Sequence, residues 1–201
     1  MARIEGTITS GKLGDVIYSS WNGRPYKRRR PEKVANPRTE AQQAHRNAFA
    51  EVSKLASDLK AAHLIGLNRQ AGRWKLNTHC AFKKLNKDCY GPDGVRYARV
   101  VVSNGPVSPA YLNSAQVDDY NMLRVTFSNQ SGSPDDSFFV FVYCPALREG
   151  GLLPPVPRSA GESSIQLPAE WPSHPLHLYA FLRDRKGRTS NTTYLGIDGR
   201  G

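Results

Sequence analysis

Leu123-Arg124-Val125-Thr126-Phe127 alternates apolar and polar side chains, and Leu176-His177-Leu178-Tyr179-Ala180-Phe181 reads as a second strand of the same kind. Successive side chains of a strand point to opposite faces, so a period of two marks a strand with one face in a core. Around these two lie Tyr97–Ser103, Ala115–Val117, Leu123–Ser128, Phe138–Cys144, Ser163–Leu167, Leu176–Arg183 and Thr192–Ile197 as strand candidates. Turn clusters such as Gln130-Ser131-Gly132-Ser133-Pro134-Asp135 and Arg185-Lys186-Gly187 separate them. Seven short strands with regular turn signals predict an antiparallel β-sandwich of immunoglobulin or fibronectin type III kind. The Pro-rich Leu152–Pro157 stretch reads as a loop or an edge irregularity.

Upstream of Val95 the period changes. Ala41, Ala44, Ala48, Phe49, Val52, Leu55, Ala56, Leu59 and Ala62 recur at spacings of three and four, one stripe of a long amphipathic helix ending near His63, before Gly66. Asn36 can cap it with Pro37 at the first helical position, and Thr39 with Gln42 offers an overlapping capping box. A second helix is predicted from Gly72 to about Lys87, with Trp74, Cys80, Ala81 and Leu85 on its buried side, before Gly91-Pro92-Asp93-Gly94 breaks the chain. Further upstream, Val16, Ile17, Tyr18 and Trp21 lead into Asn22-Gly23, a strong hairpin turn, and Tyr26 follows on the returning strand. The class is therefore α+β. A basic hairpin-and-helix module (1–94) precedes the sandwich domain (95–201). The stripe of the long helix needs a cover wider than the second helix offers. The hairpin, the sandwich or both are expected to pack on it, with Trp21 and Trp74 partly buried there.

Charge is distributed unevenly. Residues 1–100 hold 20 Lys/Arg against 8 Asp/Glu, and residues 101–201 hold 8 against 9. The excess points to an anionic partner for the N-terminal part, nucleic acid or an acidic protein surface, although a merely solvated basic face explains it too. Its sharpest feature is Lys27-Arg28-Arg29-Arg30, joined by Arg24, Lys33 and Arg38. Guanidinium groups bind phosphate oxygens in a bidentate way, and alternation along a strand would send two of these four cations to one side and two to the other. Tyr26 and Trp21 flank the turn and could stack on bases. The competing reading packs Trp21 into the hairpin. The helix start at Pro37–Arg46 could hold an anion, but capping alone accounts for its residues.

Other chemistry finds little support. Cys80, Cys89 and Cys144 have no disulfide-framework spacing, and the start of the chain has no apolar signal segment, so a reducing, cytoplasmic setting is expected. No run is long and apolar enough to span a bilayer, so no membrane partner is expected. His45, His63, His79, His174 and His177 form no zinc spacing, and no metal or cofactor is expected. Neither a Gly-x-Ser-x-Gly elbow nor a phosphate loop is present. His79, Cys80 and Asp88 are the first residues to inspect for catalysis, and the chain reads as not an enzyme. The acidic pairs Asp118-Asp119 and Asp135-Asp136 read as solvated turns.

Ser10-Gly11-Lys12-Leu13-Gly14, Trp21-Asn22-Gly23-Arg24-Pro25-Tyr26, Asn36-Pro37-Arg38-Thr39-Glu40-Ala41-Gln42-Gln43, Arg46 and Phe49 form one set of motifs. Ser163–Pro168 before Trp171, and Lys186-Gly187-Arg188-Thr189-Ser190-Asn191 leading to Tyr194-Leu195-Gly196, form another. Together they resemble a bacterial family known only as a domain of unknown function, over nearly the whole chain. The N-terminal pattern is also similar to one in small uncharacterised phage and prophage proteins. The resemblance supplies no catalytic residues; it implies a small bacterial or phage-derived protein, virion-associated in the second case. The expected function is a non-catalytic structural or interaction protein docking through its basic N-terminal module onto a protein assembly or another copy of itself. The alternative is a sequence-tolerant nucleic-acid-binding protein using the Lys27–Arg30 hairpin.

Overall fold

A computed structural model describes residues 3–5, 8–32, 38–91, 93–128 and 132–199. The expectations placed on Lys33, Asn36, Pro37, Pro92, Gln130 and Ser131 lie outside the described residues. The chain divides into two compact units, Met1–Gln42 and Gln43–Gly201. The change from helical to strand patterning near residue 95 thus falls inside the second unit.

The first unit is a four-stranded antiparallel meander, β1 (Arg3–Glu5), β2 (Ile8–Leu13), β3 (Val16–Trp21) and β4 (Arg24–Arg29), in that spatial order. Asn22 and Gly23 both take positive φ, 49° and 76°, the two-residue turn that matches strand twist. The expected hairpin is present, and it is half of a larger sheet. Gly14-Asp15 makes a second tight turn between β2 and β3, with Leu13 opposite Val16. Pro25 is tolerated because β4 is an edge strand. Between residues 10 and 32 no side chain is fully buried; Gly11 and Val16–Ser19 are half-buried. Trp21 is 72% exposed, which corrects the expectation that it is partly buried. It sits at the end of its strand, beside the turn.

Helix α1 (Glu40–Asp58) opens with the Gln42 N–H donating to Thr39 Oγ1 at 3.4 Å. It is followed by α2 (Lys60–Gly66), α3 (Asn68–Trp74) and α4 (Thr78–Leu85). The single helix predicted to end before Gly66 is α1 plus α2, bent at Leu59 while hydrogen bonds continue through the bend, Leu59 N–H to Leu55 O and His63 N–H to Leu59 O. α2 includes Gly66 as its last residue. A Cβ there would sit 2.3 Å from the Val102 carbonyl oxygen, so this glycine also serves close approach. The predicted start of the next helix at Gly72 is displaced. Lys75 turns left-handed at the end of α3, and Asn77 Oδ1 then caps α4 by accepting from the Cys80 N–H. The buried side of α4 is Ala81 and Phe82, with Trp74, Cys80 and Leu85 only half-buried.

A short hairpin of β5 (Tyr90–Gly91) and β6 (Gly94–Val95) leads into a 3-10 turn at Tyr97–Arg99, where a strand was expected. Val100 and Val102 are buried, but the backbone between them pairs with a side chain. Val101 N–H donates to Asn86 Oδ1 at 2.7 Å, and Asn86 Nδ2 donates to Val101 O at 2.9 Å.

The rest is a sandwich. One sheet runs β12 (Glu162–Gln166), β8 (Met122–Phe127), β7 (Leu112–Val117). The other runs β10 (Glu149–Leu152), β9 (Ser137–Cys144), β13 (Leu176–Arg183), β14 (Thr193–Ile197), and β11 (Val156–Pro157) also pairs with β9. These strand pairings are antiparallel, and the class is α+β with an antiparallel β-sandwich. Leu123, Val125 and Phe127 meet Phe138, Val140, Val142, Leu176, Leu178, Ala180 and Leu182 between the sheets, with Trp171 closing one end. The second sheet is buried on both faces. Phe139, Phe141, Tyr143, Tyr179 and Phe181 point outward into Leu55, Ala56, Leu59, Ala62, Leu67 and Phe82 of the helical layer. The sandwich is therefore the cover that the helical stripe required. Full burial of each such side chain stabilises by roughly 1.5–3 kcal/mol. Phe49, counted in the same stripe, is 56% exposed, one turn before the sheet begins to cover the helix.

Candidate functional site

The β3–β4 register sorts the basic residues. Ile17 faces Arg28, Ser19 faces Tyr26 and Trp21 faces Arg24. Residues directly opposite in an antiparallel pair share a face. Lys12 lies opposite Ile17 on β2, so the same face carries Lys12, Trp21, Arg24, Tyr26 and Arg28. Between residues 10 and 29 it includes three cations and two aromatic rings. Lys27 and Arg29 lie on the reverse face with Val16 and Tyr18. Trp21 and Tyr26, at diagonal positions, border a shallow depression of about 410 Å³ together with Arg24 and Pro25. Every β4 side chain is exposed. Arg30 follows the strand, its N–H donating to Asp15 O. Arg29 lies 3.7 Å from Glu32 in a solvent-exposed pair that contributes little to stability. Arg38 is exposed, outside the sheet. Lys33 lies outside the described residues. Lys12 was missed in the sequence, and the Gly14-Asp15 turn was the signal that places it.

Two physical accounts fit β4. Lys and Arg on an open edge prevent strand-to-strand aggregation, which explains the charge. That account leaves unexplained why Trp21 and Tyr26 sit solvent-exposed on the face that carries Arg24 and Arg28. Alternating cations and exposed rings suit backbone phosphates and unpaired bases.

The residues singled out for catalysis do not assemble. His79 and Cys80 are neighbours on α4, where consecutive side chains diverge, and Asp88 is exposed in the turn beyond it. No hydrogen bond joins the three among the described residues. Burial, with Lys83 and Lys60 nearby, lowers the His79 pKa. The neighbouring Cys89 is buried and pushed up to about 11, a thiol rather than a nucleophilic thiolate. Cys80, Cys89 and Cys144 are all free. Among the described residues, no three of His, Cys, Asp and Glu are grouped to hold a metal ion. Among the described residues, no helix is long and apolar enough to cross a membrane.

Polar groups inside the second unit knit its layers together. Tyr143 donates to Asp58 Oδ2 at 2.9 Å, and Arg148 Nη2 bonds both oxygens of the same carboxylate at 3.0 Å, tying α1 to β9 and the turn after it. Burial first, and then the Asp58 hydrogen bond, raise the Tyr143 pKa. His177 Nδ1 meets Tyr194 Oη at 2.7 Å, and its ring stacks on Tyr97 with centroids 4.1 Å apart. Burial depresses the His177 pKa to about 4. Arg158, 1% exposed, bonds Asp136 at 3.5 Å and the Ser108 carbonyl, and its Nε has no partner among the described residues.

Residues 8–196 match a family of unknown function, DUF6266. The chain belongs to DUF6266. No curated protein matches this DUF6266 chain. Among solved structures it is similar to the fibronectin type III domain of human collagen alpha-1(XX) chain. That likeness has 18% identity and a TM-score of 0.35, covering 46% of the DUF6266 chain and 85% of the collagen domain.

Proposed function

We propose that this chain is a non-catalytic binding protein whose N-terminal sheet holds single-stranded nucleic acid without strong sequence preference. The observation that carries the reading is the shared face of Lys12, Trp21, Arg24, Tyr26 and Arg28. Cations track the phosphate backbone, and exposed rings stack on any base, which gives affinity with little base readout. The burial of Val52, Leu55 and Leu59 under the chain's own sheet favours a self-contained second unit, leaving the basic face as the place where a partner docks. The test is fluorescence anisotropy with a labelled oligothymidylate at low salt. Binding by the native chain, lost in Arg24→Glu/Arg28→Glu, is expected; a native chain that leaves the probe unbound ends the proposal.

A second reading is a structural subunit, virion-associated if phage-derived, that uses the same face against an acidic protein or another copy of the chain. It is favoured by the lack of any fully buried side chain between residues 10 and 32, since so thin a sheet gains stability from a covering partner. Light scattering after size-exclusion chromatography checks self-association. A concentration-independent monomer counts against the homo-oligomer.

A further inference from the structure

Three segments of the second unit meet at a cleft of about 550 Å³. Helix α3 contributes Arg69, Gln70 and Arg73, the segment after Val102 contributes Asn104, and the β13–β14 connection contributes Arg188 and Thr189. No carboxylate lines it. Arg69 and Arg73 stand one helical turn apart, both exposed, and neither side chain makes an ion pair or hydrogen bond among the described residues. Like charges at that spacing repel.

The frame around these cations is rigid. Thr189 Oγ1 lies 3.1 Å from Gly66 O and 3.2 Å from Asn104 O. The Val107 N–H donates to Thr189 O. Ser103 Oγ donates to Ser190 O at 2.7 Å, and Thr192 Oγ1 accepts from the N–H groups of Val102 and Ser103. The Lys186–Asn191 motif is thus the clamp that fastens the β13–β14 connection to the helical layer. Arg188 is oriented by the same clamp. Its Nε donates to Asp184 Oδ2 at 2.6 Å, and its N–H donates to Asp184 Oδ1 at 2.7 Å. Its terminal nitrogens make no hydrogen bond among the described residues. Arg69 and Arg73 are therefore two cations unpaired among the described residues at one opening, and Arg188, paired through Nε with Asp184, lines it beside them.

We propose that this cleft binds a phosphate-bearing small molecule, its phosphoryl oxygens seated among Arg69, Arg73 and Arg188. A planar guanidinium fork matches a phosphate edge, and a doubly charged phosphoryl group answers both Arg69 and Arg73 where a single carboxylate would leave one without a partner. Gln70 and Asn104 supply amides beside it. The volume falls in the range of small-molecule sites, roughly 300–1,000 Å³, so a phosphoryl group leaves room for an organic remainder. The site lies wholly in the second unit and does not depend on the N-terminal sheet.

Isothermal titration calorimetry with pyrophosphate at low salt tests it. The native chain binds, and equimolar succinate does not compete. Arg69→Gln/Arg73→Gln and Arg188→Gln each weaken binding about tenfold or more, the usual loss for charged hydrogen bonds. Lys87→Gln/Arg124→Gln, which removes two charges outside the cleft, leaves binding unchanged. Arg69 and Arg73 are exposed on a helix, so their double variant keeps the native melting temperature and reports binding alone. No pyrophosphate binding at about 1 mM, an equal loss in the Lys87/Arg124 variant, or binding of an oligonucleotide but not pyrophosphate overturns the proposal.

Discussion

Charge and stacking leave different signatures in a salt titration, and the N-terminal face carries both. Its cations are Lys12, Arg24 and Arg28. Neutralising Z phosphates on a single strand gives a log–log salt slope of about −0.7Z, so three contacts give about −2. Raising salt fourfold, from about 50 to about 200 mM, should then weaken oligothymidylate binding about 20-fold. Arg28→Ala removes one contact, bringing the slope to about −1.4 and the loss over the same range to about sevenfold. Trp21→Ala should behave differently. Base–aromatic stacking is worth about 1–3 kcal/mol, so affinity should fall about 5- to 150-fold at every salt concentration with the slope unchanged. Trp21 is 72% exposed while Trp171 is 5% exposed, so stacking should also quench the most solvent-accessible part of the tryptophan emission. Anisotropy titrations at four salt concentrations for the native chain and both variants decide the matter. If Trp21→Ala binds as the native chain does, the stacking argument fails and only a charged edge strand remains. If Arg28→Ala leaves the slope unchanged, Arg28 touches no phosphate.

Other consequences concern the second unit. His177 titrates below its unfolded value of about 6.5, at about 4. The unfolded chain therefore binds the proton first, and this contribution to stability is complete above pH 6.5 and lost as pH falls towards 4. Urea midpoints measured across that window should fall with acid, and His177→Phe should flatten the dependence by up to one proton, about 1.4 kcal/mol per pH unit. Removing one partner of the buried Arg158–Asp136 pair by Asp136→Ala should cost about 3–5 kcal/mol, and Asp136→Leu/Arg158→Met should recover most of it in the same assay. Phe82→Ala, at a fully buried site, should cost about 3–5 kcal/mol in chemical denaturation. Phe49→Asp, at an exposed site on the same helical stripe, should cost under about 1 kcal/mol. Reversal of the order of these two losses would refute the assignment of the covered face.

How much of this was legible depends on whether the information was local. Asn22-Gly23 specifies a turn by its own backbone preference, and Leu123–Phe127 declares its inward face by alternation, so both were readable. The positions of β7, β8, β9, β12, β13 and β14 followed from the same rule, applied between turn clusters. What alternation could not carry is burial on both faces. Phe138–Cys144 is apolar at every position because one side meets β8 and the other meets α1, α2 and α4, and an unbroken apolar run does not say which layers cover it. Gly66 carries a second role that was not local. A glycine ends many helices, and here its missing side chain also admits the Val102 carbonyl, a contact 36 residues away in sequence. The basic residues show the limit most clearly. Lys27–Arg30 stood out as a run, yet the register divides that run between two faces, and Lys12 joins Arg28 only through two turns of the meander. Arg69, Arg73 and Arg188 gave no local signal at all. Two are one helical turn apart and the third is 115 residues downstream of Arg73, and they share a cleft because Thr189, Ser190 and Thr192 fasten their connection to Gly66 and Ser103. A charge run is therefore the weaker indicator in this chain. The sites are assembled by turns and hydroxyl clamps, and the Lys186–Asn191 motif is informative because its buried hydroxyls fix a loop, with Arg188 aimed from it.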